Sequence, residues 1–222
     1  MAYFDKRFLE FFEGLEMDNS KAYFDVNRKT YQTAVREPFV EFVGDMIMRI
    51  REHEPEVDIV PKDAIFRINR DIRFSKDKRP YKTHVGAHIS RGGRKDHQYP
   101  GHYFQLGHDK VMVAGGVYMP DKDGVQKVRA HIARDPEEFD RVVNDPVFKR
   151  TYGKVQGDRL KRVPPEFREI AVTQPFVANK QWYYMVDIDP GVIVTDELTD
   201  VLMDHYLAAQ GVAGYPREGL SR

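Results

Sequence analysis

An alternation of apolar and polar residues begins at position 65, in the run IFRINRDIRF at residues 65–74. Its apolar members fall on one side of an extended chain: Phe66, Ile68, Ile72 and Phe74. Arg70 is the exception, because it falls among the apolar residues and needs an acid or backbone carbonyls as partners. A period of two residues is typical of a half-buried strand, so this run predicts a strand with one face in solvent.

Three more runs of this kind follow at residues 85–89, 103–106 and 111–119. The last two are separated by the sequence GHDK at residues 107–110, which predicts a hairpin loop. Four successive strands with short connections indicate an antiparallel meander. A further alternating run at residues 182–188 predicts one more strand.

Helical spacing replaces this alternation on both sides of the meander. Ser20 is a predicted N-cap, Pro38 a predicted first-turn residue, and Gly211 the predicted end of the last helix. Helices, then strands, then helices again predict an α+β fold with about four or five antiparallel strands and helices packed on one face. We expect a single domain over residues 1–222, in three successive parts: a helical part at 1–60, the meander at 61–120, and helices with one strand at 121–222.

Charge is balanced over the whole chain but sorted along it. The 222 residues hold 35 Lys plus Arg and 35 Asp plus Glu. Residues 62–95 contain eleven basic and three acidic residues, a local net charge of +8 in an acidic remainder. The balance excludes a protein that coats nucleic acid or an anionic membrane by its total charge, whereas the sorting predicts a local electrostatic field.

Cysteine is absent, which excludes disulfides, thiolate nucleophiles and cysteine-based metal sites. No apolar run approaches the roughly 18 residues that a membrane helix needs. The first twelve residues mix charges with aromatic rings and do not form a signal-peptide pattern. These features predict a cytoplasmic protein without a membrane partner.

The segment after the first predicted strand concentrates hydrogen-bond donors. Guanidinium groups bind phosphate and carboxylate through two parallel hydrogen bonds, and the turn adds hydroxyl and ammonium groups. We therefore predict a basic pocket for an anionic small ligand, bearing phosphate or carboxylate, on the open face of the sheet. The candidate ligand-binding residues are Arg67, Asn69, Asp71, Arg73, Ser75, Lys78, Tyr81, Lys82 and His84.

The sequence leaves enzymatic activity open. If the chain is an enzyme, we expect a hydrolase or transferase acting on a phosphate-bearing substrate, with acid–base candidates Asp71, Lys78, Tyr81 and His84. No P-loop or dinucleotide-binding motif is present, so no cofactor is assigned. A metal site is considered because five histidines lie close in sequence: His84, His88, His97, His102 and His108. His84 and His88 would lie about 13 Å apart on a strand, and no metal-binding motif occurs, so no metal site is assigned.

The basic segment resembles an uncharacterised protein family catalogued as domain of unknown function 2461. The hallmark of that family is the run R-x-x-R-D-x-R-F-S-x-D-K-x-P-Y-K-T, which residues 67–83 match at every specified position. Further residues fall where the family pattern expects them: Asn19, Phe24, Pro38, Phe39, Gly115, Gly116, Pro120, Arg129, Leu160, Lys161, Arg162 and Pro164. Tyr23 departs from the pattern, since a tryptophan is usual there. The resemblance implies a family and carries no activity with it.

Two other classes of function are alternatives. A basic sheet with interleaved rings would bind single-stranded nucleic acid through stacking on Phe66, Phe74, Tyr81, Tyr99, Tyr103 and Phe104. Phe66 and Phe74 fall on the predicted apolar face, which disfavours this hypothesis. In the third class, a structural or protein-interaction domain, the Arg/Asp cluster is a scaffold network. Distant acids would then neutralise the basic segment, namely Asp187, Asp189, Asp196, Asp200 and Asp204.

Overall fold

A computed structural model describes residues 1–96 and 98–220 of the chain. Helices come first: α1 (Lys6–Met17), α2 (Lys21–Val26), α3 (Arg28–Thr30), a π-helix (Tyr31–Arg36), α4 (Glu37–His53) and α5 (Pro61–Ala64). The strands are β1 (His84–Ile89), β2 (Gly101–Gly107), β3 (Val111–Val117) and β4 (Trp182–Ile188). Between β3 and β4 lie α6 (Lys122–Arg134), α7 (Pro136–Val143) and α8 (Pro146–Tyr152), and α9 (Leu198–Ala208) and α10 (Gln210–Leu220) follow β4.

The four strands form one antiparallel sheet in the order β1-β2-β3-β4. This confirms the predicted α+β class with N-terminal helices. In β1 the buried side chains are Val85, Ala87 and Ile89, which is the predicted alternation. No helix among the described residues is long and apolar enough to cross a membrane.

The described residues form two compact units. The first consists of Met1–Arg94, Tyr103–Val113 and Asp187–Met203. The second consists of Ala114–Val186 and the described parts of Lys95–His102 and Asp204–Arg222.

The core of the first unit is built mainly from phenylalanine rings. Phe8 and Phe12 lie one helical turn apart on α1 and meet edge to face at 5.1 Å. Phe42 of α4 packs edge to face on Phe104 of β2 at 5.6 Å, which joins the N-terminal helices to the sheet. These side chains are all fully buried, and ring pairs in this geometry add about 1 kcal/mol each beyond the burial of their area.

Pro38 lies in the first turn of α4, as predicted, although α4 continues directly from a π-helix. The chain is already helical there, and the preceding turn widens to a π-helix whose last bond runs from the Glu37 N–H to the Gln32 carbonyl. Proline has no N–H and crowds the carbonyl four residues before it. A wider turn directly before Pro38 lets the helix continue where a regular α-helix would break.

The prediction of a regular strand at residues 65–74 is wrong. Only two isolated antiparallel bridges form, from Ile65 to Ala87 and from Asn69 to Tyr81. Beyond Asn69 the chain leaves the sheet, and Phe74, which we predicted to be buried, is 95% exposed. A continued strand would have placed the Arg70 charge in the core, whereas the turn lets it reach an acid.

In the second unit, local capping signals are confirmed but one helix end is wrong. Asp135 accepts a hydrogen bond from the Glu138 N–H and caps α7 as its position before Pro136 predicts. The predicted last helix corresponds to α9, which ends at Ala208, and Gly211, its predicted end, lies in the first turn of a separate helix, α10. The Tyr215 hydroxyl of α10 donates toward the carbonyls of Asp135 (2.9 Å) and His131 (3.2 Å), so tertiary contacts hold this additional helix, which the sequence analysis did not predict.

Candidate anion-binding site

The predicted site residues lie in the first unit, on a loop and the neighbouring edge of the sheet. The backbone of residues 65–70 runs antiparallel to that of residues 80–87, with hydrogen bonds from the Arg70 N–H to the Pro80 carbonyl (2.8 Å) and from the Lys82 N–H to the Ile68 carbonyl (2.9 Å). Residues 70–80 therefore form a closed loop at the sheet edge.

A charged network closes this loop. Arg70 Nη1 donates to Asp77 Oδ2 at 2.6 Å, and Arg79 bonds the same carboxylate through Nε and Nη2. The hydrogen bonds from Arg79, and then from Arg70, hold the pKa of Asp77 well below its usual range. Arg70 is therefore paired with an acid, as its place among apolar residues predicts. Arg70 and Arg79 both pair with Asp77 within the loop.

A second pair lies at the tip of the loop. Arg73 Nη2 donates to Asp71 Oδ2 at 2.6 Å, and hydrogen bonds from Arg73 lower the pKa of Asp71 to about 2. Lys78 Nζ donates to the Ile72 carbonyl at 2.9 Å. Three predicted ligand-binding residues, Asp71, Arg73 and Lys78, are therefore engaged with the loop itself.

Tyr81 belongs to the core and not to an open pocket. It is 8% exposed, and its ring stacks on Phe24 at 4.3 Å. Asn19 clamps its backbone, since Asn19 Oδ1 accepts from the Tyr81 N–H and Asn19 Nδ2 donates to the Tyr81 carbonyl. Asn69 is exposed beside this bridge and Ser75 is half-buried in the loop.

Arg67 and Lys82, which flank the loop, differ from its arginines because their side chains are not ion-paired to any described residue. Neither side chain has a hydrogen bond or an ion pair with any residue in the described part of the chain. Lys82 is half-buried, and its ammonium lies 5.1 Å from the centre of the Phe66 ring. Burial, with the positive charge of Arg67 nearby, lowers the pKa of Lys82. Two cations that repel each other thus lie close together, and no acid in the described part of the chain is bonded to either.

His84 shares this face, as predicted. Burial, and then the charge of Lys82, lower the pKa of His84 to about 4, against a smaller opposing effect of Asp109. The imidazole is therefore neutral at pH 7. Of the four acid–base candidates, Asp71 and Lys78 are held in the loop and Tyr81 is in the core, whereas His84 lies close to Lys82.

Sequence reasoning named Tyr103 of β2 only as a stacking ring in the nucleic-acid alternative, and it missed Gln105 of β2 altogether. Tyr103 packs edge to face on Phe66 at 6.1 Å, and its hydroxyl donates to Gln105 Oε1 at 2.9 Å. A Cβ on Gly86 would lie 3.2 Å from the Tyr103 oxygen, so glycine at this position lets the tyrosine lie across β1. The alternation of β2 was the available signal, because it places residues 103 and 105 on the same face.

The geometry gives little support to the two alternative hypotheses, nucleic-acid binding and a scaffold network neutralised by distant acids. Three of the rings that would stack on bases, Tyr81, Tyr99 and Phe104, are buried. Of the distant acids, Asp187 binds Lys110 at 2.8 Å and Asp200 binds Arg49 at 3.0 Å, so both pair outside the basic loop. Among residues 1–96 and 98–220, no three His, Asp or Glu side chains come together as metal ligands. His97 lies outside the described residues.

The loop network supports a prediction about stability. Replacing Arg70 by alanine removes the bond that spans seven residues and leaves Asp77 with Arg79 alone, so we expect Tm to fall by a few degrees. Arg73→Ala is the matched control, because the Arg73–Asp71 pair is exposed and spans only two residues, and its Tm should change by no more than about 1 °C. Thermal unfolding at pH 7 measures both, and equal shifts would contradict this role of Arg70.

The chain is thus an α+β protein with a closed basic loop, residues 70–80, at the edge of its sheet. Two isolated bridges and the paired arginines hold this loop in place. The sequence model of a family described as "Conserved hypothetical protein (DUF2461)" matches residues 7–215. The chain belongs to this family, which confirms the resemblance carried by residues 67–83. No curated protein and no solved structure matches the chain.

Proposed function

We propose that this protein binds a small anionic ligand, bearing phosphate or carboxylate, on the open sheet face beside Arg67, Lys82 and His84. The observation that carries the proposal is the contrast between the cations. Arg70, Arg73 and Arg79 are ion-paired, whereas Arg67 and Lys82 are neighbours without an acid bonded to either. An anion between the latter two would convert repulsion into attraction and supply the missing counter-charge.

The surroundings suit an anion held by direct contact. Lys82 and His84 are half-buried, whereas Arg67 is exposed. A half-buried charge interacts more strongly than a fully hydrated one because the local dielectric constant is lower. Asp71 interacts electrostatically with Arg67, but its carboxylate is already bonded by Arg73. The arginine fork, the Lys82 ammonium and the His84 ring then provide donors of different reach for a tetrahedral or planar anion.

The protonation of His84 tests the proposal. Sulfate serves as the probe, because its charge stays constant between pH 4 and 8. We expect sulfate to raise the pKa of His84 from about 4 toward the ordinary value near 6.5, since an adjacent anion favours the imidazolium. The folded protein takes up a proton on binding, so sulfate affinity rises as pH falls through the pKa of the complex and levels off below about 4.

NMR titration of the His84 ring at low ionic strength, with and without sulfate, gives this measurement. His53 on α4 is exposed and is the internal control, because the chemical shifts of its ring should not respond to sulfate. A His84 pKa that is unchanged at saturating sulfate, together with the absence of chemical-shift changes at residues 67 and 82, would refute the proposal.

A further inference from the structure

The second unit contains a cavity that the basic loop does not touch. Its volume is about 640 Å³, in the range of small-molecule sites. It lies where the start of α6 meets the chain before β4, and its walls are largely apolar: Met119, Pro120, Val125, Leu160 and Pro164. A cavity of this size and lining can hold the body of a small organic molecule.

Arg129 is a buried cation in the wall of this cavity. It is 5% exposed, and no carboxylate lies within ion-pair distance of it in the part of the chain that the structure describes. Nη2 donates to the Asn179 carbonyl at 2.8 Å and Nη1 to Gln126 Oε1 at 3.4 Å, while the buried Nε–H has no acceptor. A buried guanidinium bonded only to neutral groups is costly, because its full charge is removed from water without compensation.

The other charges around the cavity have the same sign as Arg129, with one exception. Lys122 and Lys180 line it, are exposed, and form no ion pair within the described residues. Asp121 also lines it, but its carboxylate accepts from the Gly124 N–H at 2.8 Å and caps α6. Glu166 acts on Arg129 only from a distance and accepts a hydrogen bond from Gln126 at 3.3 Å. The field at the cavity therefore favours an anion.

We propose that this cavity binds a small organic carboxylate with an apolar body. The carboxylate pairs with Arg129, the two lysines attract it at the rim, and the apolar body lies against Val125, Leu160 and Pro164. The apolar walls favour this ligand over inorganic phosphate, which would lose hydration there without gaining apolar contact. The site is independent of the sheet-edge site proposed above, since the two share no residue.

Isothermal titration calorimetry at low salt and pH 7 tests the proposal with benzoate, phenylacetate and hexanoate. Phenylacetamide is the matched neutral ligand, because it has the shape of phenylacetate without the charge. We expect at least one carboxylate to bind with a Kd of about 1 mM or tighter, and its amide to bind at least tenfold more weakly. Failure of all three carboxylates to bind at about 20 mM would overturn the proposal, and so would equal binding of acid and amide.

Variants locate the binding. Arg129→Lys keeps the charge but loses the fork, and it should weaken binding about tenfold or more. If that variant does not fold, the double variant Lys122→Gln/Lys180→Gln tests the site instead, because both side chains are exposed and their replacement should not disturb folding. We expect the double variant to bind the carboxylate several-fold more weakly. Lys154→Gln, an exposed lysine outside the cavity lining, is the control. Unchanged affinity in the double variant and in a folded Arg129→Lys protein would refute the site. Lys82→Met should leave the carboxylate binding that depends on Arg129 intact, even where it abolishes binding at the sheet edge.

Discussion

The Lys82→Met variant is expected to bind pyrophosphate at least tenfold more weakly than the unmodified protein. A charge-assisted hydrogen bond contributes about 1.5–3 kcal/mol, which corresponds to a loss of roughly tenfold to a hundredfold in affinity. Methionine keeps the length of the side chain and its packing on Phe66, so the loss reports the charge. The folded protein should be as stable as before or slightly more so, because a half-buried cation next to Arg67 is removed.

Lys76→Met is the matched control for this variant. Lys76 lies in the neighbouring loop of the same basic segment and is exposed, and its substitution makes the same change in net charge, so it separates local contact from the field of the whole segment. Calorimetric titration with pyrophosphate at two salt concentrations measures both variants, and thermal unfolding monitors their fold. Equal losses of affinity in the two variants would show that the segment attracts anions only by its total charge, which contradicts a defined site.

The Gly116→Ala variant is expected to lose about 3–5 kcal/mol of stability, which lowers Tm by roughly 10 °C. Gly116 has φ +91°, a conformation that favours glycine, and its backbone approaches β4 closely. An added Cβ would lie 2.4 Å from the Trp182 carbonyl oxygen and 3.0 Å from the Tyr183 Cα. Both are backbone atoms, so the strand itself would have to move.

Gly153→Ala separates the two causes of this loss. Gly153 also has a positive φ, +75°, but no atom lies within 4 Å of the position that its Cβ would take. Its substitution should therefore cost only the conformational strain, about 1–2 kcal/mol. Chemical denaturation of both variants measures the difference. A Gly116→Ala protein as stable as Gly153→Ala would contradict the close approach of β3 and β4 at this point.

Local signals predicted much of the fold. The alternation at residues 85–89 and the loop at residues 107–110 identified β1 and the hairpin of β2 and β3. Ser20 caps α2, where its hydroxyl accepts from the Tyr23 N–H, and Asp135 caps α7. Each of these features depends on contacts within a few residues of sequence, so the sequence carries them directly.

The site was predicted only in part, because ion pairs compete for the same residues that could bind a ligand. The basic segment, its net charge and the shared face of Lys82 and His84 could be read from the sequence. The sequence could not show which arginines lack an acidic partner, because Asp77 is close in sequence to several of them. The path of the loop decides that Asp77 pairs with Arg70 and Arg79.

The sequence by itself determined the α+β class, the family, the hairpin of β2 and β3, and the position of the basic segment. Tertiary structure alone decided that the chain leaves the sheet beyond Asn69, that a separate helix, α10, follows α9, and that Tyr103 joins the face of Lys82. The physical reason is the range of the interactions. Periodicity and capping act within one or two turns of chain, whereas the partner of a buried charge or ring is chosen by the three-dimensional path of the backbone.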